Sequence, residues 1–524
     1  MVDAVGPRGG TAGAHPRPWP DLGWLAFAGL ACLACGAGPP VARHGRGPRP
    51  PPAVAGPSCS FEVRQRAAGR GLFDVEGRCP GAGLAGFAPT EPAVAAHLTA
   101  VTTARGAPLV ATNDVFTLPP DAAPEDADAI RYTVDLDALA EDREDFDLAL
   151  RSGGSLLAPA SSFVLCPSPA SKAGDIAVTV RMQSGERFTS GMRFDGERYH
   201  LGAHEVGVST YGVFGRFTSE PFELPGRFAL GPPPAPPGAE PPKAAATRAA
   251  IELVTLEGPL ESSAAERRAW VERVARAVAA FYRGFPVART VVVVVPLAGH
   301  GEVAFGKVVP ASGPTVLLTV GASADAAALG RDWILAHELF HLGVPSFAGR
   351  GKWLDEGLAT YFEPLVRVRA GLLDPAIAWR DFYYGMRAAA AALGAGRLDA
   401  AKDYRDVYWG GALIALLTDL AARERAAGGV GLEVGLRAVL GAGGDASTVW
   451  SLEDVVRAVD GALGAPLLAE HTRTYAERGA PVDVDALFAA LGVHVDGEQV
   501  SFDDDAPRAA LRRALVAGDP APSD

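Results

Sequence analysis

The sequence has no block of clustered lysine and arginine in its folded parts, and its 48 basic residues are outnumbered by 61 acidic ones, for a formal net charge of −13. Phosphate backbones are held by concentrated positive charge, so nucleic acid is excluded as an expected partner. Cysteine is scarce. Of the five present, Cys32 and Cys35 fall in the N-terminal leader, which leaves Cys59, Cys79 and Cys166 for one disulfide and one thiol in an oxidising compartment. No internal repeat is present. The acidic stretch Glu125 to Asp147 lacks the Asp-rich spacing around a central glycine that a calcium loop requires, and it reads as a solvated face.

What is present is apolar material: 48% hydrophobic residues and a mean hydropathy of +0.13. Such a chain buries large cores and is not disordered, and its length suggests about three units. Leu22 to Ala34 is an apolar run of 13 residues behind Arg8 and Arg17. A membrane span needs ~20 residues and a signal-peptide core roughly 7–15, so the run reads as an export signal. It ends Leu30-Ala31-Cys32-Leu33-Ala34-Cys35-Gly36, which resembles the lipobox of bacterial lipoproteins, although Cys32 stands where a leucine is usual. The expectation is a signal or lipoprotein peptide over 1–35, cleaved before Cys35, with a lipid anchor in the bacterial cell envelope. Simple secretion or periplasmic release is the alternative. Residues 36–58, rich in Pro, Gly and Arg, form an extended tether.

From Cys59 to about Leu230 apolar residues recur at period two, as in Arg131-Tyr132-Thr133-Val134-Asp135-Leu136, so 59–230 is expected to be a β-rich domain. Cys59 and Cys79 flank two strands that could close a hairpin, and they are the expected pair. Residues 231–247 are a Pro-rich linker. Beyond it, Ser263 and Glu266 have the form of a capping box, Thr290 to Pro296 reads as a strand buried on both faces, and the rest is mainly helical. The fold expected is multi-domain α+β, with a helical catalytic domain carrying a small sheet over 248–495 and an acidic C-terminal tail over 496–524.

In a helix expected to start near Asp325 stands His337-Glu338-Leu339-Phe340-His341. Residues four apart lie one above the other on a helix, so both imidazoles reach one metal ion, while Glu338, about 100° round the axis, stays free to hold a water. A third ligand is needed. Trp353-Leu354-Asp355-Glu356-Gly357 opens the next helix beyond a Gly- and Pro-containing connection, and Glu356 is the choice. Glu363, two turns further on, is placed to hydrogen-bond a ligand histidine from behind, or else is a surface carboxylate.

At these residues the chain resembles the gluzincins, zinc metallopeptidases with HExxH and a downstream Glu. Within them it is most similar to the glycyl aminopeptidase family, through Phe281 to Thr290, through Tyr408-Trp409-Gly410-Gly411 and through Ser451 to Val455. The resemblance implies a thermolysin-like catalytic domain, a Zn2+ cofactor, a peptide or protein substrate, and Glu338 as general base. It also implies Tyr408 as oxyanion donor, with Tyr404 as the competing choice, and a carboxylate ahead of the metal helix that binds the substrate amine. Glu302 is the candidate for that last role; an ordinary loop carboxylate is the alternative. One departure stands out: His341 and Glu356 enclose 14 residues, about one helical turn fewer than is usual in that family. Aminopeptidase activity is the expected function. A metalloendopeptidase, or an inactive cell-surface binding protein on the same fold, are the alternatives. Nothing in the sequence bears on oligomeric state.

Overall fold

The computed structural model describes residues 58–518 apart from 120–125, 127, 144, 209, 231–247, 311–312, 396–397 and 427–428. The expected signal peptide, nearly all of the tether and the linker therefore lie outside the described residues.

The N-terminal region is β-rich. Its largest sheet has seven strands in the order Arg193–Phe194, Tyr199–Gly202, Asp175–Arg181, Cys59–Gln65, Leu72–Arg78, Ala129–Asp135 and Leu98–Thr102. Along Cys59–Gln65 every second residue, Cys59, Phe61, Val63 and Gln65, is buried, as the period of two requires. That strand pairs antiparallel with Leu72–Arg78, and Cys59 and Cys79 form a disulfide across the hairpin. Cys166 is free and buried.

The second half is organised round a five-stranded sheet. Its strands are β1 (Phe217–Pro225), β2 (Arg248–Leu256), β3 (Arg289–Leu297), β4 (Val303–Val309) and β5 (Thr315–Gly321), in the order β1-β2-β3-β5-β4. β2, β3 and β5 run parallel, and the two edge strands are antiparallel to their neighbours. Although β1 falls within 59–230, it pairs with β2 along its whole length, from Phe217 opposite Leu256 to Pro225 opposite Arg248. The valine run of β3 is buried on both faces for a simple reason. Val292 and Val294 enter the helical core, whereas Val291, Val293 and Val295 join a cluster with Leu157, Tyr211 and Val213 of the N-terminal region.

The helices that matter for the site are α1 (Ala264–Tyr282), α2 (Ala326–Arg331), α3 (Ile334–His341), α4 (Lys352–Arg369), α5 (Pro375–Ala395) and α6 (Tyr404–Arg425). α1 opens on the capping box of Ser263 and Glu266, both halves of which are formed. Among the described residues no helix is long and apolar enough to cross a membrane.

The C-terminal stretch differs from the acidic tail expected over 496–524. Val493–Asp496 and Gln499–Phe502 form a hairpin, and Ala509–Ala517 is a helix. The helix docks because Leu515 enters the main core and the buried Arg512 guanidinium donates to the carbonyls of Leu491, Gly492 and Asp503. Asp503, Asp504 and Asp505 remain exposed, with Asp504 paired to Arg512 and Arg513.

Candidate metal centre

The first two donors come from α3, which is a separate helix and not the continuation of one starting near Asp325. Asp325 caps α2, accepting from the Ala328 N–H. The chain then leaves helical geometry, and the Asp332 carboxylate accepts from the N–H groups of Ile334 at 2.9 Å and Leu335 at 3.0 Å, opening a new helix. The short α3 stacks His337 and His341 on one side.

Glu356 reaches them because α4 and α6 touch backbone to backbone. A Cβ on Gly357 would lie 2.4 Å from the Gly411 carbonyl carbon, and one on Gly411 would lie 2.0 Å from the Trp353 carbonyl oxygen. Only a glycine pair permits that approach. It sets Glu356, one residue before Gly357, beside Tyr408, three before Gly411. The shortened connection between His341 and Glu356 is held by a two-residue parallel ladder of Ser346–Phe347 on Val449–Trp450 and by the Gly351 N–H donating to Asp399.

The three donor atoms form a nearly equilateral triangle. His337 Nε2 and His341 Nε2 are 3.2 Å apart, His337 Nε2 and Glu356 Oε2 3.3 Å, and His341 Nε2 and Glu356 Oε2 3.5 Å. Zinc bonds of 2.0–2.1 Å in tetrahedral geometry place ligand atoms about 3.3–3.4 Å apart, so the triangle has the edge lengths of a zinc site. Its donor chemistry agrees. His341 Nδ1 is 2.9 Å from Asp355 Oδ1, a contact that orients the imidazole with Nε2 facing the triangle. Burial would raise the Glu356 carboxyl, but its hydrogen bonds to His337 and His341 outweigh that and hold it well below the usual range, so it is ionised. Among the described residues this is the one group of His, Cys, Asp or Glu side chains found to converge this way.

Glu338 points from α3 at edge strand β4. Gly306 lies directly opposite, where a Cβ would come 2.7 Å from Glu338 Cγ and 2.4 Å from Ile334 Cγ2. This closeness lets the Val308 backbone hydrogen-bond the Glu338 carboxylate, while burial raises its pKa above the ordinary carboxylate value. Tyr408 completes the wall. Its ring is parallel to His337 within 3°, with centroids 5.7 Å apart, and its hydroxyl donates to Glu356. Burial, then the charges of Glu356 and Glu338, push that hydroxyl well above 10, so it remains a proton donor.

His337, Glu338, His341, Glu356 and Tyr408 are thus brought together. Two other candidates stand elsewhere. Glu363 is buried with its carboxylate accepting from Arg367 Nη1 at 2.7 Å and within the field of His337, while the hydrogen bond to the other ligand imidazole, His341, is made by Asp355. The signal for Asp355 was its place directly before the ligand Glu. Glu302 is exposed in the loop before β4, four residues ahead of Gly306. The β4 side chains on the helix side are Val303 and Val308.

No family model matches the chain, and no curated protein matches it in sequence. Solved structures do. The chain is similar to an aminopeptidase N family protein from Idiomarina loihiensis at 13% identity, with a TM-score of 0.58 over 84% of this chain and 79% of that one. It also matches an M1 zinc metallopeptidase mutant from Deinococcus radiodurans, solved with a Tyr-Ser-Ala substrate. There the identity is 14% and the TM-score 0.47, over 81% of this chain and 95% of that one. The first likeness is one of fold: a β-rich N-terminal region followed by a helical region with a small sheet.

Proposed function

We propose that the protein is a zinc-dependent peptidase of the gluzincin type. The observation that carries this reading is the triangle of His337, His341 and Glu356 donor atoms, with the uncoordinated Glu338 beside it. Zinc held there would lower the pKa of a bound water toward ~7 and polarise a peptide carbonyl. Glu338, kept out of the ligand set by its place on the helix, accepts a proton from the attacking water and returns it to the leaving amine. The raised Glu338 pKa suits that exchange. The Tyr408 hydroxyl donates to the carbonyl oxygen as it gains negative charge.

Cleavage beside a free amino terminus is the specificity we infer, on the likeness to aminopeptidase N and to the glycyl aminopeptidases. A second reading, endopeptidase, is favoured by one observation: the helix-side residues of β4, namely Val303, Gly306 and Val308, carry no carboxylate for a substrate ammonium. Paired peptides with free and acetylated N-termini separate the two. Equal cleavage of both gives the endopeptidase. The peptidase reading itself is tested by zinc content and turnover together: wild type should bind about one zinc per chain and cut peptides, Glu338→Gln should keep the zinc and cut none, and His337→Ala should lose both. Zinc-loaded wild type that cuts no peptide would leave the binding-protein alternative.

We infer further that the chain is exported and lipid-anchored through Cys35. Mass spectrometry of the mature N-terminus tests this, and an intact Met1 overturns it.

A further inference from the structure

The two helices that meet at the metal centre carry a second layer of side chains one turn above it. Lys352 precedes Glu356 by four residues on α4, and Tyr404 precedes Tyr408 by four on α6, so each pair lies along one helix face. In the lower layer Tyr408 donates to Glu356. In the upper layer Lys352 Nζ lies 5.2 Å from the Tyr404 ring centroid, and the two tyrosine rings are 6.4 Å apart. One helical turn, about 5.4 Å, separates the layers, which is less than two residues of extended peptide.

Lys352 is exposed, and among the described residues no carboxylate pairs with it. Arg350, two residues earlier, is by contrast shared among Asp399, Glu453 and Glu477. The remaining charges around the metal ligands are acidic: Glu338, Asp355 and Glu356. In the loaded site Glu356 and Glu338 would face the ion, whereas a substrate carboxylate one helical turn away would face Lys352. The Tyr404 ring face holds the Lys352 ammonium at the rim and reduces the freedom it would lose on pairing.

We propose that Lys352, seated on Tyr404, is the subsite for a substrate carboxylate one or two residues from the cleaved bond. This rests on the peptidase reading and adds a substrate class to it. The carboxylate is either an acidic side chain or the C-terminus of a short peptide.

The test measures peptide binding by calorimetry to zinc-loaded protein in a Glu338→Gln background, where the peptide stays uncut. Four short peptides are used: free acid or amide at the C-terminus, each with Glu or Gln beside the expected cleavage site. A carboxylate is expected to tighten binding about fivefold, the upper range for a partly exposed ion pair. Lys352→Met should bring that ratio to one, and Lys352→Arg should keep it. A ratio confined to the C-terminal pair assigns the subsite to the terminus, and one confined to the Glu and Gln pair assigns it to the side chain. Equal binding of all four peptides, or a ratio that survives Lys352→Met, overturns the proposal. The peptidase reading is judged separately, by turnover with Glu338 intact.

Discussion

Asp355 Oδ1 and His341 Nδ1 are 2.9 Å apart, so the residue that directly precedes the carboxylate ligand also orients an imidazole ligand. One turn of α4 therefore supplies both a donor and the group that orients another. The arrangement predicts that Asp355→Ala weakens zinc binding by ~10–100-fold, the usual effect of deleting such a partner. Competition with a fluorescent chelator measures it. Glu363→Gln should cost less, because the Glu363 carboxylate is occupied by Arg367. The reverse order of losses would return the orienting role to Glu363.

The contact of Gly357 with Gly411 sets the distance between α4, which carries Glu356, and α6, which carries Tyr408. Gly411→Ala forces a methyl group to within 2.0 Å of the Trp353 carbonyl oxygen unless the helices part. Overpacking of this kind costs ~1–3 kcal/mol, and the loss should appear in urea denaturation. The same displacement moves Tyr408 from Glu356, so the variant should lose peptidase activity even where it remains folded. Full activity with unchanged stability would show that the helices part freely.

These two relationships mark how far the sequence is legible. The HExxH spacing is a local property of one helix, and His337, Glu338 and His341 lie as their periodicity requires. Glu356 could be found because a helix start with Trp353 and Gly357 announces itself. The division into a β-rich first part and a helical second part was legible in the change of period at the proline-rich stretch. Long-range effects were not. The pairing of β1 with β2 joins strands on opposite sides of residues 231–247, and nothing local to either strand names its partner. The break before α3 depends on Asp332 turning its side chain onto the backbone, a choice that competes evenly with continuing the helix. Glu302 looked suitable by order along the chain, and it stands in the exposed loop before β4, ahead of the irregularity between Val303 and Phe305.

Tyr408 is stacked on His337 and holds its proton against Glu356. Tyr408→Phe should keep zinc and fold while lowering kcat by ~10²–10³, the usual cost of deleting one oxyanion donor. Steady-state kinetics on a short peptide measures the effect. A rise in KM at unchanged kcat would mean that the hydroxyl binds ground state and transition state alike. Tyr404→Phe removes a hydroxyl one turn away and should leave kcat near wild type.

The carboxyl of Asp332 provides a pH test of the break between α2 and α3. Burial raises its pKa to about 6, against the opposing pull of its bonds to the N–H groups of Leu335 and Ile334 and the charge of Arg367. In the unfolded chain the same group titrates near ~3.9. Between these values the folded protein holds a proton that the unfolded chain has released, so the contribution of Asp332 to stability is full below pH ~4. It declines as the pH rises and is gone above about 6. The span of about two units corresponds to ~2–3 kcal/mol. Asp332→Asn retains an oxygen acceptor for the helix start but cannot titrate, so its stability should not follow that decline. Urea denaturation of both proteins from pH 4 to 7, with chelator present throughout so that metal binding does not enter, should show wild type gaining on the variant as the pH falls. A difference between the two that stays constant over this range would mean that Asp332 is ionised in the folded protein at every pH tested, and that its carboxylate is sustained by the α3 N-terminus and Arg367 alone.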